Sequence, residues 1–201
     1  MLGSARQRGF NLTEAMITVS VMALLVAAMV PSMQEWMRNT QVRTMAEAAQ
    51  NGLQKARMEA LRRNKVVTFW LVSPAAVASL DNSCSLASDS GSWVISTEDP
   101  SSKCATAPSA TVSPGIVETY GAGTAAAGIT VAGRASDGTT EASAVSFTGF
   151  GQPVQSASRI ATLDMTHSQS GARRLRITIS SSGGIRMCDR DVAAGDTRAC
   201  S

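Results

Sequence analysis

Hydrophobic and polar positions divide the chain into three patterns. From Phe10 to Met33 apolar side chains run almost continuously, interrupted chiefly by Asn11, Thr13, Glu14, Thr18 and Ser20. At about 1.5 Å per residue this stretch is long enough to cross about 30 Å of hydrocarbon as one helix. Beyond it, Met33, Trp36, Met37, Met45, Ala49, Leu53, Ala56, Ala60 and Leu61 recur at spacings of three, four and their multiples, with Arg38, Arg43, Glu47, Lys55, Arg57, Glu59, Arg62 and Arg63 interleaved. That pattern predicts an amphipathic helix. A rod from Phe10 to about Arg63 would be about 80 Å long, more than a bilayer needs, so its second half is predicted to pack on a globular head. Pro31 removes the hydrogen bond to the carbonyl of Ala27 and predicts a bend or local melting there.

After residue 64 the period shortens. Runs rich in β-branched and aromatic residues predict short strands at Val66–Val72, Trp93–Ser96, Ile129–Ala132, Ala144–Thr148, Ile160–Thr166, Leu175–Ser180 and Ile185–Cys188, separated by Gly, Ser, Pro and Asp. The last two, joined by Ser181-Ser182-Gly183-Gly184, read as a hairpin. Residues 73–92 and 97–128, rich in Ser, Ala, Gly and Thr, read as loops or weak edge strands. The fold class is therefore α+β: a long N-terminal helix, membrane-spanning and then amphipathic, packed on a C-terminal antiparallel β-sheet head.

Composition narrows the functional classes. The chain has 201 residues, 44% hydrophobic but only 4% aromatic, which fits one modest head with a thin core rather than a large enzyme. Its net charge of +3 says little until it is resolved along the chain. Residues 33–65 carry seven basic and three acidic side chains, residues 73–158 two and seven, and residues 159–201 seven and four. Arg173, Arg174, Arg176, Arg186, Arg190 and Arg198 cluster late, either as a solvated face or as a strip for phosphates. Catalytic patterns are missing: the single His167 has no GxSxG partner, Gly121, Gly123 and Gly128 do not form GxGxxG, and no GKS or GKT follows a glycine run. No enzyme, cofactor or metal site is read from the sequence, since four cysteines without CxxC spacing make a poor zinc set. Cys84, Cys104, Cys188 and Cys200 instead suit disulfides in an exported chain. Three pairings are possible, and the simplest joins Cys84 to Cys104 and Cys188 to Cys200.

The N-terminus carries the most specific signal. A cleaved secretory signal competes with a membrane helix, and Glu14 separates them. A carboxylate within a spanning helix costs roughly 2.5–3.5 kcal/mol and calls for a partner. No Lys or Arg lies one turn away, so the counterion has to come from another chain: cleavage after Gly9 would free the amine of Phe10, which can meet Glu14 of a neighbouring copy at low dielectric. Arg8-Gly9-Phe10-Asn11-Leu12-Thr13-Glu14, followed by an apolar helix containing Pro31, resembles the class III signal of type IV pilins and type II secretion pseudopilins. The resemblance implies a prepilin peptidase that cuts after Gly9 and methylates the amine of Phe10, with Glu14 at the family's acidic assembly position and Pro31 at its helix kink. It also implies a leader at 1–9, a transmembrane helix at 10–33, an amphipathic helix at 34–64 and a periplasmic head at 65–201.

The second half resembles one branch. A Trp strand after a Cys loop, Phe147-Thr148-Gly149-Phe150-Gly151, and the ending Gly184-Ile185-Arg186-Met187-Cys188-Asp189 with Arg198-Ala199-Cys200 are similar to the GspH/FimT group of minor pilins and pseudopilins. The resemblance implies a single-pass inner-membrane subunit that joins the tip of a filament and primes its assembly, with other pilins or pseudopilins as partners. Its possible roles are a minor pilin of a type IV pilus, a minor pseudopilin of type II secretion, or DNA capture for transformation. The last uses a Gly-Arg-x-Arg segment in some relatives; here the corresponding residues are Gly183-Gly184-Ile185-Arg186, without the first arginine.

Overall fold

The computed structural model describes residues 11–200. Among the described residues, one α-helix, α1 (Leu12–Arg63), is followed by nine strands: β1 (Val67–Ser73), β2 (Ser85–Leu86), β3 (Trp93–Ser96), β4 (Ile116–Tyr120), β5 (Ile129–Arg134), β6 (Ala144–Phe147), β7 (Thr162–His167), β8 (Leu175–Ile179) and β9 (Ile185–Asp189). The chain divides into two compact units after Met37. The helix assignment continues through position 31, so no turn is melted there. Glu14 lies in its first turn, where a carboxylate complements the partial positive charge of the helix start.

In the second unit the helix buries a stripe of Val42, Met45, Ala46, Ala49, Leu53, Ala56 and Ala60. This stripe differs from the predicted one at its ends. Met33, Trp36, Met37 and Leu61 are exposed, while Val42 and Ala46 are buried. Four alanines in the stripe leave room for large sheet residues, which is how a chain poor in aromatics closes its core. Gly52 takes this furthest: a Cβ there would stand 2.8 Å from Trp93 Cζ2 and 2.9 Å from Phe69 Cε2.

The head has two antiparallel sheets rather than one. In the first, β1 is central, with β3 on one side and β2 and β6 on the other, and β4 lies outside β3. Strand alternation sends Val67, Phe69 and Leu71 into the cluster that holds the helix stripe, and Trp70 and Val72 into a second cluster with Leu80, Val94, Ile116 and the Cys84–Cys104 disulfide. Both faces of this sheet are therefore covered. The second sheet runs β5-β7-β8-β9, and its inner residues Val131, Leu163, Met165, Leu175, Ile177 and Ile179 join the cluster of the helix.

β4 and the two-residue β2 fall within segments that the sequence assigns to loops or weak edge strands, and both are edge strands. β4 is anchored by Ile116, which is fully buried, and by Tyr120, whose ring stacks on Trp93 at 5.1 Å. β7 begins two residues later than predicted, at Thr162, because Ile160 and Ala161 instead bond to Ala144 and Arg134. The β8–β9 hairpin pairs Ile179 with Ile185 around the predicted turn. Gly183 in that turn has φ +86°, and a Cβ there would fall 2.1 Å from the carbonyl oxygen of Gly151. That carbonyl also accepts a hydrogen bond from Arg57 Nε at 2.9 Å, tying the turn and the 148–151 loop to the helix.

A second disulfide joins Cys188 to Cys200. It closes a tail of 12 residues onto β9. Restricting that tail in the unfolded chain is worth about 3 kcal/mol on loop-entropy grounds. The Cys188→Ser, Cys200→Ser double variant should accordingly melt several degrees below the parent by circular dichroism. Unchanged melting would mean that the tail contributes nothing to the cooperative unit.

Candidate functional site

Two surfaces bear on function. The first is the apolar part of α1. Leu12, Met16, Ile17, Met22, Leu24 and Leu25 are all more than half exposed, and the segment is long and apolar enough to cross a membrane. A helix that is apolar on every side needs an apolar surrounding, either lipid or other helices. Its polar side chains are largely self-satisfied: Thr18 Oγ1 donates to the Ala15 carbonyl at 2.9 Å, Ser20 Oγ to Met16 at 2.7 Å and Ser32 Oγ to Met29 at 2.9 Å. Such back-bonding removes the need for water. Glu14 is the one charged residue between positions 11 and 34, and it makes no ion pair among the described residues. Gly9 and Phe10 lie outside the described residues. Pro31 is placed within the helix, 17 positions after Glu14.

The second surface is the outer face of the β7-β8-β9 sheet and the chain end folded over it. Antiparallel register sets Asp164 opposite Arg176, and Arg176 opposite Cys188. Arg176 binds Asp164 through two parallel hydrogen bonds of 2.6 and 2.7 Å, and Arg190 reaches the same carboxylate at 3.4 Å. Arg174 pairs with Asp191, its Nε donating at 2.7 Å, and Arg198 pairs with Asp196 at 2.8 Å. Arg186 donates to the Thr197 carbonyl at 2.8 Å. Hydrogen bonds from Arg174 hold the Asp191 carboxyl below its usual range, and those from Arg198 push Asp196 down to about 2.

The six late arginines are thus brought to one region, but four of them share three carboxylates. This lowers the positive field that a polyanion would meet. Net charge by segment hid that pairing. The missed signal was the set Asp164, Asp191 and Asp196, each opposite or within two positions of an arginine once the hairpin register is written out. His167 ends β7, and its Nδ1 accepts the Gln169 N–H at 3.0 Å, a turn-forming role. No group of three or more His, Cys, Asp or Glu suited to a metal occurs among the described residues.

A further paired carboxylate lies on the helix. Glu59 receives Arg62 Nε at 2.8 Å and Arg62 Nη2 at 2.6 Å, and also pairs with Arg63. The Arg62 hydrogen bonds, aided by Arg63, take the Glu59 carboxyl down to about 2 against the cost of burial. A depressed carboxyl pKa stabilises the fold above its unfolded value near 4.5, and that stabilisation disappears as pH falls through about 2. Glu59→Gln should therefore cost about 1–2 kcal/mol at neutral pH and nothing at the acid limit. Urea midpoints of the two proteins should converge on acidification; parallel curves would contradict the pairing.

The combination of one long helix, whose first half is apolar on all sides, with antiparallel sheets packed on its second half defines a pilin-like subunit. Residues 45–183 match the family model described as type II transport protein GspH, and the chain belongs to that family of pilin-like minor pilins and pseudopilins. Its relatives are structural proteins rather than known enzymes. Two crystal forms of the type IV minor pilin FimU from Pseudomonas aeruginosa PAO1 are similar in structure. One is 14% identical over 72% of this chain and 90% of that one, with a TM-score of 0.46. The other is 15% identical over 76% and 91%, with a TM-score of 0.47. No curated protein matches the sequence.

Proposed function

We propose that this protein is a minor pilin, of the FimT/FimU kind, that helps prime and cap the assembly of a type IV pilus from the inner membrane. The observation that supports this reading is the apolar, self-satisfied helix with a single carboxylate near its start. In lipid, Glu14 is costly alone and favourable beside a positive terminal amine of a neighbouring chain, so association within the membrane relieves the cost. The order Gly9-Phe10 just ahead of it supplies that amine once a prepilin peptidase has cut. The head, held outside the cytoplasm, then presents its surface to other subunits.

The family description favours a second reading, a minor pseudopilin of type II secretion. Both roles use the same helix, and the cargo differs. Deleting the gene separates them: loss of surface pili with exoprotein export intact supports the pilus role, and the reverse supports the secretion role. DNA capture by the late arginines is the weaker alternative, given their carboxylate partners.

A further inference from the structure

The β7–β8 loop has a composition and a location that assembly through the helix does not explain. Residues 168–174 read Ser-Gln-Ser-Gly-Ala-Arg-Arg, with no large apolar side chain. The loop is fastened to the first residues of the second unit: Arg38 Nη1 donates to Gln169 Oε1 at 3.2 Å, and the Arg173 N–H donates to Asn39 Oδ1 at 2.8 Å. Gly171 at its tip has φ +88°, and a Cβ there would meet nothing within 4 Å. A shallow cavity of about 620 Å³ lies alongside, lined by His167, Arg173, Arg174 and Asp191 among others. Asp191 is the one carboxylate in that lining and is bound to Arg174. Arg173 is exposed, and its guanidinium forms no ion pair among the described residues.

Chain length fixes where this loop can be. If the apolar stretch through Met33 lies in a bilayer, Arg38 follows five residues later. Even fully extended, five residues reach at most about 18 Å, whatever the angle between the two units. The residues bonded to Arg38 and Asn39 are therefore tethered close to the lipid headgroups, at high effective concentration. A polar, arginine-bearing loop without apolar side chains suits the phosphate layer rather than insertion into the acyl region.

We propose that the β7–β8 loop docks on the phosphates of anionic phospholipids through Arg173, with Arg38 and Arg174 beside it, and so steadies the head on the membrane before assembly. This rests on the membrane-spanning reading of the apolar helix. The test uses the full chain in nanodiscs of phosphatidylcholine, or of phosphatidylcholine mixed with phosphatidylglycerol, and follows hydrogen exchange of the 168–172 amides. Exchange should slow about threefold in the anionic discs alone, return to the phosphatidylcholine rate in high salt, and show no slowing in the Arg173→Glu variant. Equal exchange in the two disc types, with the protein embedded in both, overturns loop docking and leaves the helix reading intact. Failure to embed in either disc overturns both. Slowing in phosphatidylcholine discs only on adding duplex DNA overturns the lipid assignment in favour of DNA. The Arg173→Glu substitution leaves the backbone bond to Asn39 in place, so unchanged exchange in that variant in phosphatidylcholine discs shows that the loop still folds.

Discussion

Glu14→Ala protein should accumulate in the inner membrane at the parental level and fall at least about tenfold in sheared filaments. The variant loses a carboxylate that costs roughly 2.5–3.5 kcal/mol to insert, so membrane entry is not impaired. On the charge-pairing proposal it would lose the drive to associate: in an assembled stack the amine of Phe10 from one copy would face an uncharged methyl, and breaking a buried pair in this way costs roughly 3–5 kcal/mol. Glu14→Asp, which keeps the charge on a shorter arm, should restore part of the incorporation. The measurement is immunoblotting of membrane and filament fractions side by side. Full incorporation of the alanine variant would sink the charge-pairing account.

Gly52→Leu should destabilise the head by about 2 kcal/mol or more, although helix propensity alone predicts a gain of nearly 1 kcal/mol. The reason is the approach of α1 to the first sheet. A Cβ at Gly52 would lie 2.9 Å from Phe69 Cε2 and 2.8 Å from Trp93 Cζ2, and those rings are themselves held, Phe69 against Trp93 at 5.4 Å and Trp93 against Tyr120 at 5.1 Å. Neither ring can swing aside without disturbing β3 or β4. For a head of this size the loss corresponds to a drop of roughly 4–8 °C in melting temperature. Asn51→Leu, one position earlier on the exposed side, serves as the propensity control and should be neutral or stabilising. If both variants melt alike, the close approach is not a constraint.

How much of this was legible in the sequence depended on period. The helix was readable because its apolar run and its stripe are long, and the β8–β9 hairpin because Ser181-Ser182-Gly183-Gly184 separates two alternating strands. The stripe was misread at its ends: Met33, Trp36 and Met37 keep a helical spacing yet belong to the exposed segment, so periodicity alone cannot say which helix face meets a head. β4 was obscured because only Ile116 is an obvious anchor; Val117, Glu118 and Thr119 belong to an edge strand, where one neighbour is enough. The division into two sheets depends on non-local pairing, as in β1 with β6, which no local pattern encodes. At the basic end, the arginines were visible but their neutralisation was not, because Asp164 meets Arg176 only through strand register.

The two disulfides fasten segments with little ladder of their own: the loop over the outer face of β1 and the tail beyond β9. A copy whose head had not left the reducing cytoplasm would keep a finished helix-and-sheet centre with both flaps loose, open to proteases. On the exported-subunit proposal, both segments would close only once the head had reached an oxidising compartment.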